Sequence, residues 1–113
     1  MSFKDPEVDW NSFGIEVHRR IRAYIFPVFQ HPSVYLNGER LFLSKISLSD
    51  IESDGLMPGE FTANPTENGI SVATKDKKII IERFNREGKD IEALELWTEK
   101  NYPSTGRFDD PKK

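Results

Sequence analysis

The chain has 113 residues, which is the size of one ordinary domain and leaves no room for a second hydrophobic core. Its net charge of −3 argues against a protein that works mainly by binding phosphate backbones. The absence of Cys excludes disulfides, thiolate catalysis and Cys-ligated zinc. No signal-peptide segment and no membrane-length apolar run is present, so we expect a cytoplasmic protein without a membrane partner.

The first helix is predicted over residues 12–25, after a charged lead-in or linker at residues 1–8. Four apolar residues recur at the spacing of one helical face. They are Val17, Ile21, Tyr24 and Ile25. Asn11 or Ser12 is placed to cap the first free N–H groups. Pro27 ends the helix because it pushes the preceding residue out of the helical region.

After the helix the apolar period changes to two, which predicts antiparallel strands. The dipeptide Asn37-Gly38 between two apolar runs predicts a hairpin, since both central residues of a type I′ turn need positive φ. Residues 49–58 are predicted to form a solvated excursion, and residues 75–77 to form the turn of a second hairpin. Five strands are predicted, at residues 33–36, 40–48, 60–63, 69–74 and 78–84.

Asp90 is predicted to cap a second helix over residues 91–100, and residues 101–113 are predicted to form a flexible tail. Three residues of that helix are expected to pack inward: Ala93, Leu94 and Trp97. The order helix, five strands, helix predicts a mainly β domain over residues 9–100. The expected architecture is a five-stranded, OB-like antiparallel barrel with an N-terminal and a C-terminal helix.

The two histidines give no clear catalytic signal. His18 lies among arginines, where added positive charge disfavours the imidazolium, and we interpret it as a partly exposed helix residue. His31 precedes a proline and is interpreted as a loop residue that covers one end of the barrel. The sequence has no metal-ligand spacing, glycine-rich phosphate loop or nucleophile elbow, so we predict no catalytic or metal-binding residue.

Two basic clusters are candidates for contact with a substrate or a nucleic acid. They are Arg19, Arg20 and Arg22 on the helix, and Lys75, Lys77 and Lys78 in the second hairpin. The lysines are equally well explained as gatekeepers of the apolar run at residues 79–81. Phe26 and Phe29 form an apolar knuckle that is either core or a surface for docking another domain.

Several segments together resemble the C-terminal domain of the methionyl-tRNA formyltransferase and sugar N-formyltransferase family. In chain order they are residues 8–11 (V-D-W-N), 18–23 (H-R-R-I-R-A), 37–41 (N-G-E-R-L), 58–60 (P-G-E) and 69–74 (G-I-S-V-A-T). The resemblance covers about residues 7–100, and it is carried by the order and spacing of the segments. It implies an accessory domain that follows a separate catalytic domain.

The chain departs from the family pattern at two points. Residues 24–29 replace the P-W-P-G-A knuckle of the methionyl-tRNA enzymes, which favours the relatives that formylate nucleotide-linked amino sugars. The acidic net charge favours the same relatives. The family's catalytic Asn, His and Asp act in the N-terminal domain with formyl-tetrahydrofolate, and nothing here matches them. We therefore expect no formyl transfer by this chain alone and no cofactor bound to it.

The predicted function is that of a non-catalytic accessory domain of a formyltransferase. It would position an amine substrate, dock on the catalytic domain or form a homodimer. A nucleotide-linked amino sugar is preferred over initiator methionyl-tRNA as the substrate. One alternative is a stand-alone OB-type module that binds tRNA, with Tyr35, Phe42 and Phe61 stacking on bases. Another is a purely structural dimerisation domain.

Overall fold

A computed structural model describes residues 8–25, 32–53, 55–64 and 69–109 of the chain. These residues form two helices and seven strands. The helices are α1 (Gly14–Ile25) and α2 (Ala93–Lys100), and the strands are β1 (Ser33–Leu36), β2 (Glu39–Glu52), β3 (Glu60–Asn64), β4 (Gly69–Val72), β5 (Lys77–Arg86), β6 (Lys89–Glu92) and β7 (Thr105–Arg107). Neither helix within these ranges is long and apolar enough to cross a membrane.

Helix α1 packs on β2 and β5 through the apolar face that its spacing predicted. Val17 and Ile21 are almost fully buried in the core. The side chains of Tyr24 and Ile25, the other two members of the predicted face, lie outside the described part of the structure. The prediction of an amphipathic helix that covers the sheet is therefore confirmed for its first two turns.

The start of α1 differs from the prediction because its cap comes from a distant turn. The backbone N–H of Gly14 donates to Asp76 Oδ1 at 2.6 Å, so the helix begins at residue 14 rather than at residue 12. The expected cap by Asn11 or Ser12 is not the one observed. The backbone carbonyl of Ser12 instead accepts the N–H of Lys75, which holds the segment before the helix against the β4–β5 turn.

The first hairpin is confirmed at the residues where the sequence placed it. Strands β1 and β2 pair antiparallel with Leu36 opposite Glu39. Asn37 and Gly38 connect them with φ values of 52° and 84°, the signs that a type I′ turn requires. The second hairpin, between β4 and β5, is also confirmed.

Strand β2 is longer than predicted, because part of the expected excursion at residues 49–58 belongs to it. The strand continues to Glu52, which pairs with Lys77 of β5. The register shifts between Leu48 and Glu52, and this irregularity accommodates extra residues without ending the strand. The buried hydroxyl of Ser49 accepts the N–H of Ile51, which satisfies one backbone donor of this irregular segment.

The seven strands form one antiparallel sheet with the order β1-β2-β5-β4-β3-β7. Strand β6 lies off this path and pairs with residues 83–86 at the C-terminal end of β5. The sheet is curled into a half-barrel. The predicted count of five strands is too low, since β6 and β7 were not expected. The predicted closed barrel is also not observed, because the path of paired strands ends at β1 and at β7 within the described residues.

The two ends of the described chain both bond to β1 and so protect the edge of the sheet. The N–H of Val8 donates to the carbonyl of Ser33 at 2.8 Å. The N–H of Asp109 donates to the carbonyl of Tyr35, also at 2.8 Å. These bonds satisfy carbonyls of an edge strand that would otherwise be available to another chain.

The prediction that Asp90 caps a helix over residues 91–100 is wrong. Residues 89–92 instead form β6, which pairs back onto β5 through a turn at Glu87 and Gly88. The carboxylate of Asp90 accepts the hydroxyl of Ser44 across the sheet at 2.6 Å. Helix α2 therefore starts two residues later, at residue 93, and no side chain caps it. Its predicted inward face is correct: Ala93 and Trp97 are buried, and Leu94 packs against the core.

The prediction of a flexible tail at residues 101–113 is wrong for residues 105–109. Strand β7 pairs antiparallel with β3, and Phe108 after it is only 2% exposed. Residues 110–113 lie outside the described part of the chain. The tail is ordered because Phe108 fills a position among the aromatic rings of the core.

Aromatic side chains from β3, β5, α2 and the segment after β7 form the centre of the core. The ring of Phe61 lies 4.8 Å from that of Phe108 and 5.4 Å from that of Trp97, measured between centroids. Phe84 stacks on Trp97 at 5.6 Å. Such offset and edge-to-face contacts stabilise a core beyond simple area burial. These ring contacts hold α2 against β3 and β5.

Candidate functional site

The predicted arginines lie on the exposed side of α1, but they do not share one environment. Arg20 is held by neighbours of its own segment: its guanidinium is 3.5 Å from the carboxylate of Glu16 and donates to the Ser12 hydroxyl. Arg19 and Arg22 have no hydrogen-bond or ion-pair partner among the described residues. Both line a surface groove with Ile15.

The predicted lysines lie near the opposite end of α1. Lys77 is 3.8 Å from the carboxylate of Glu52, so its charge is partly compensated. The Cβ of Lys77 lies close to Gly14, at the first turn of the helix, whereas Arg22 lies near the last turn. Eight residues of helix separate these positions by about 12 Å. Lys75 is exposed at the turn, and Lys78 is half-buried on β5.

A groove between α1 and β2 collects basic, hydroxyl and apolar side chains. Its volume is about 540 Å³. Seven residues from two elements line it: His18, Arg22, Ser44, Lys45, Ile46, Ser47 and Leu48. None of these lining residues is acidic, although the chain as a whole carries more acidic than basic groups. Of the predicted cations only Arg22 belongs to this groove.

Lys45 is the member of the groove that the sequence analysis missed. It lies in the middle of β2, next to register shifts on both sides. Its ammonium is 3.8 Å from the carboxylate of Glu82 on β5, and the lysine side chain is about half exposed in this ion pair. The Ser47 hydroxyl also donates to Glu82, and Ser44 donates to Asp90. Glu82 and Asp90 therefore lie at the border of the groove, each hydrogen-bonded to a serine that lines it.

The electrostatics of the groove disfavour a charged imidazole. Burial of the ring is the first cause that lowers the pKa of His18 below its usual value of 6.5, and the charge of Arg22 is the second. His18 is therefore neutral at pH 7 and presents one N–H donor and one acceptor nitrogen. The ring is half-buried on the helix, and no carboxylate among the described residues orients it.

Three other predicted residues lie outside the described part of the structure. They are Phe26, Phe29 and His31. In the described ranges, no group of three or more His, Cys, Asp or Glu side chains is arranged to hold a metal ion.

The aromatic residues considered for base stacking are not equally available. Phe61 is 1% exposed and belongs to the core, so it cannot stack on a base. Tyr35 and Phe42 are half-buried on the other face of the sheet. The guanidinium of Arg40 lies over both rings, 4.7 Å from the centroid of Phe42 and 5.9 Å from that of Tyr35. One ring face of each residue is thus already occupied by a cation–π contact.

A family model described as "Formyl transferase, C-terminal domain" matches residues 1–101. The chain belongs to this family. The match extends over nearly all of the chain, including α1, the groove and α2. The resemblance drawn from the order of short segments is therefore confirmed.

This formyltransferase C-terminal domain is also similar to curated proteins. It is 28% identical over 96 residues to a methionyl-tRNA formyltransferase of Legionella pneumophila (strain Corby), which covers 83% of this chain and 29% of that protein. It is 27% identical over 114 residues to a methionyl-tRNA formyltransferase of Prochlorococcus marinus (strain MIT 9312), which covers 92% of this chain and 34% of that protein. The domain thus spans about a third of the length of these relatives.

Proposed function

We propose that this chain is the non-catalytic accessory domain of a formyl-tetrahydrofolate-dependent formyltransferase. It positions the amine substrate for a catalytic domain supplied in the same or another polypeptide. The observation that carries this proposal is the match of residues 1–101 to the C-terminal domain of the family. The matched relatives are about three times longer, so most of each relative lies outside the matched region.

The environment of His18 supports a non-catalytic role. A general base needs a proton acceptor held in position and tuned to the working pH. Burial of the ring, and then the charge of Arg22, lower the pKa of His18, and it has no carboxylate partner within the described residues. We therefore assign formyl transfer to the catalytic domain.

The formyl donor is likewise assigned to the catalytic domain. The grooves on the described surface are open to solvent, including the one lined by the aromatic rings of Trp97 and Tyr102. A folate needs a pocket that encloses its ring system, as drug-sized ligands generally do. These grooves do not fit that requirement, so no residue of this chain is proposed to hold formyl-tetrahydrofolate.

For the acceptor, we prefer a nucleotide-linked amino sugar over initiator methionyl-tRNA. The net charge of −3 supports this preference, because a tRNA-binding surface gains from an excess of basic groups. The sequence of residues 24–29 supports it too, although their side chains lie outside the described structure. The curated relatives carry the name methionyl-tRNA formyltransferase, which makes tRNA the acceptor to test against.

A chimera tests the proposal. The C-terminal third of the Legionella pneumophila relative is replaced by this chain, and formyl transfer is compared with that of the truncated relative and the intact relative. We expect the chimera to exceed the truncated enzyme at least about tenfold in kcat/KM for one of the two acceptor classes, because positioning contributes to rate. The isolated chain serves as the control and is expected to transfer nothing. Equal rates for the chimera and the truncated enzyme with both acceptors would contradict the proposal.

The stand-alone tRNA-binding module is the competing function. Of its three proposed stacking residues, Phe61 is part of the core, which leaves Tyr35 and Phe42. A titration of the isolated chain with tRNA at two salt concentrations separates the functions. Sub-millimolar affinity that falls steeply with salt favours the module, and the absence of binding favours the accessory role.

A further inference from the structure

The groove between α1 and β2 brings together cations from two separate elements. Arg22 comes from the last turn of the helix and Lys45 from the middle of the long strand. They are 23 residues apart in sequence, so their approach depends on how the helix packs on the sheet. The lining itself has two cationic side chains and no carboxylate, which favours an anionic ligand, while the carboxylates of Glu82 and Asp90 lie at its border.

The two cations are available to a ligand to different degrees. Arg22 has no partner among the described residues, in contrast to Arg20, which binds Glu16 and Ser12. Lys45 has the pair with Glu82 at 3.8 Å, with its side chain 57% exposed. Such exposed pairs contribute little to stability and exchange easily. An anion entering the groove would therefore meet one cation that has no partner among the described residues and one that is weakly held.

The remaining walls indicate the size and chemistry of the ligand. Ile46 and Leu48 give the groove an apolar side, and the neutral imidazole of His18 offers an N–H donor. The open groove, of about 540 Å³, has room for a small anion with an attached body, and it combines apolar surface with a few polar groups. A ligand that has an anionic group at one end and is otherwise uncharged matches this arrangement.

We propose that the α1–β2 groove binds a small molecule through a phosphate or diphosphate group, with Arg22 and Lys45 contacting the phosphoryl oxygens. His18 donates a hydrogen bond to the same group, and Ile46 and Leu48 contact the body of the ligand. Phosphate is preferred over carboxylate because a diphosphate presents enough oxygens to reach cations on both elements at once. Its use as the anchor of a formyl acceptor rests on the proposed function, whereas the binding itself does not.

The test uses the complete chain and three probes: inorganic pyrophosphate, uridine diphosphate and uridine. Binding is followed by NMR at pH 7 and low salt, through the imidazole signals of His18 and the backbone signals of β2. We expect dissociation constants of about 1 mM or tighter for both phosphates, and none for uridine. The bound anion is expected to raise the pKa of His18, because it offsets the charge of Arg22.

Variants assign the effect to the groove. Arg22→Gln and Lys45→Gln are each expected to weaken pyrophosphate binding about tenfold, since each removes a charge-assisted hydrogen bond. Arg20→Gln is the matched control, because Arg20 is on the same helix and is also exposed, but it lies outside the groove. It is expected to leave binding within about twofold. Circular dichroism and thermal unfolding check that all three variants are folded.

Two results would overturn the proposal. One is the absence of any change at His18 on saturation with either phosphate. The other is an equal weakening by Arg20→Gln and Arg22→Gln, which would indicate a diffuse electrostatic effect. If either result is obtained but the chimera is active, the groove is contradicted and the proposed function is not. If the groove binds phosphate but the chimera is inactive, the accessory role is contradicted and the binding site is not. Tighter binding of uridine diphosphate than of pyrophosphate assigns the body of the ligand to the apolar wall.

Discussion

The carboxylate of Asp76 accepts the backbone N–H of Gly14 at 2.6 Å, so a turn between two strands caps a helix that lies 62 residues earlier in the chain. The same carboxylate accepts the Thr74 hydroxyl. The contact fixes where α1 starts and holds it over β5. Because the groove described above is formed by α1 and β2, this cap also helps to set the position of Arg22.

We predict that Asp76→Ala lowers the free energy of unfolding by about 1 kcal/mol, the usual cost of losing a helix N-cap. Asp50→Ala is the matched control, since Asp50 is an exposed carboxylate on β2 with no side-chain bond among the described residues. It is expected to change stability by less than about 0.5 kcal/mol. Urea unfolding of both variants at pH 7 measures the difference, and similar values for the two would contradict the capping role.

The contribution of Asp76 depends on pH in a defined direction. Hydrogen bonds from the Gly14 N–H, and then from the Lys77 N–H, hold the pKa of Asp76 below its ordinary value of 3.8. A carboxyl with a lowered pKa in the folded state stabilises the fold above its unfolded pKa, and loses this effect as pH falls through the folded pKa.

The stability difference between the native chain and Asp76→Asn should therefore be constant above about pH 5 and should shrink below pH 3.8. Unfolding in urea between pH 7 and pH 2.5 measures it. A difference that stays constant over the whole range would mean that the charge of Asp76 has no part in the cap.

The two tryptophans form a matched pair for the value of a buried hydrogen bond. Trp10 and Trp97 are 3% and 4% exposed. The indole N–H of Trp97 donates to the Pro103 carbonyl at 2.9 Å, whereas that of Trp10 is buried with no acceptor among the described residues. We predict that Trp97→Phe costs about 1 kcal/mol more than Trp10→Phe, since only the former loses a hydrogen bond. Thermal unfolding of the two variants tests this, and an equal or larger loss for Trp10→Phe would contradict it.

Phe108 is predicted to be essential for stability although it lies near the C-terminal end of the described chain. Phe108→Ala should lower the free energy of unfolding by about 3 kcal/mol, because it leaves a cavity between Trp10, Phe61 and Trp97. Thr105→Ala, on the exposed face of β7, should cost less than about 1 kcal/mol. If both variants unfold at the same denaturant concentration, the segment after α2 is not part of the core.

The sequence predicted the elements whose signals are local. The hairpin at Asn37-Gly38 was found because that dipeptide favours positive φ at both positions. The hairpin that forms β6 was missed because its turn uses Glu87, which adopts a φ of 52° without the usual preference for it. Strand β7 was missed because its three exposed residues show no alternation of apolar and polar side chains. A single phenylalanine after it, Phe108, does not indicate from the sequence that its ring is buried.

The candidate site was only half predictable for a related reason. Arg22 was identified because its charge on an exposed helical face is visible in the sequence. Lys45 was not identified, because the face of the sheet on which its side chain lies depends on register shifts in β2, and no local sequence pattern indicates these shifts. The approach of the two residues is set by tertiary packing of α1, which in turn depends on the long-range bond between Gly14 and Asp76.

The bonds of Val8 and Asp109 to alternate carbonyls of β1 bring the incoming and outgoing chain together. Ser33 and Tyr35 are two residues apart along one strand, a separation of about 7 Å. A circular permutant that joins residues 8 and 109 with a short glycine-rich linker, and opens the chain elsewhere, is geometrically feasible. By the same geometry, a protein joined directly at residue 8 or at residue 109 would be tethered to the same corner of the domain.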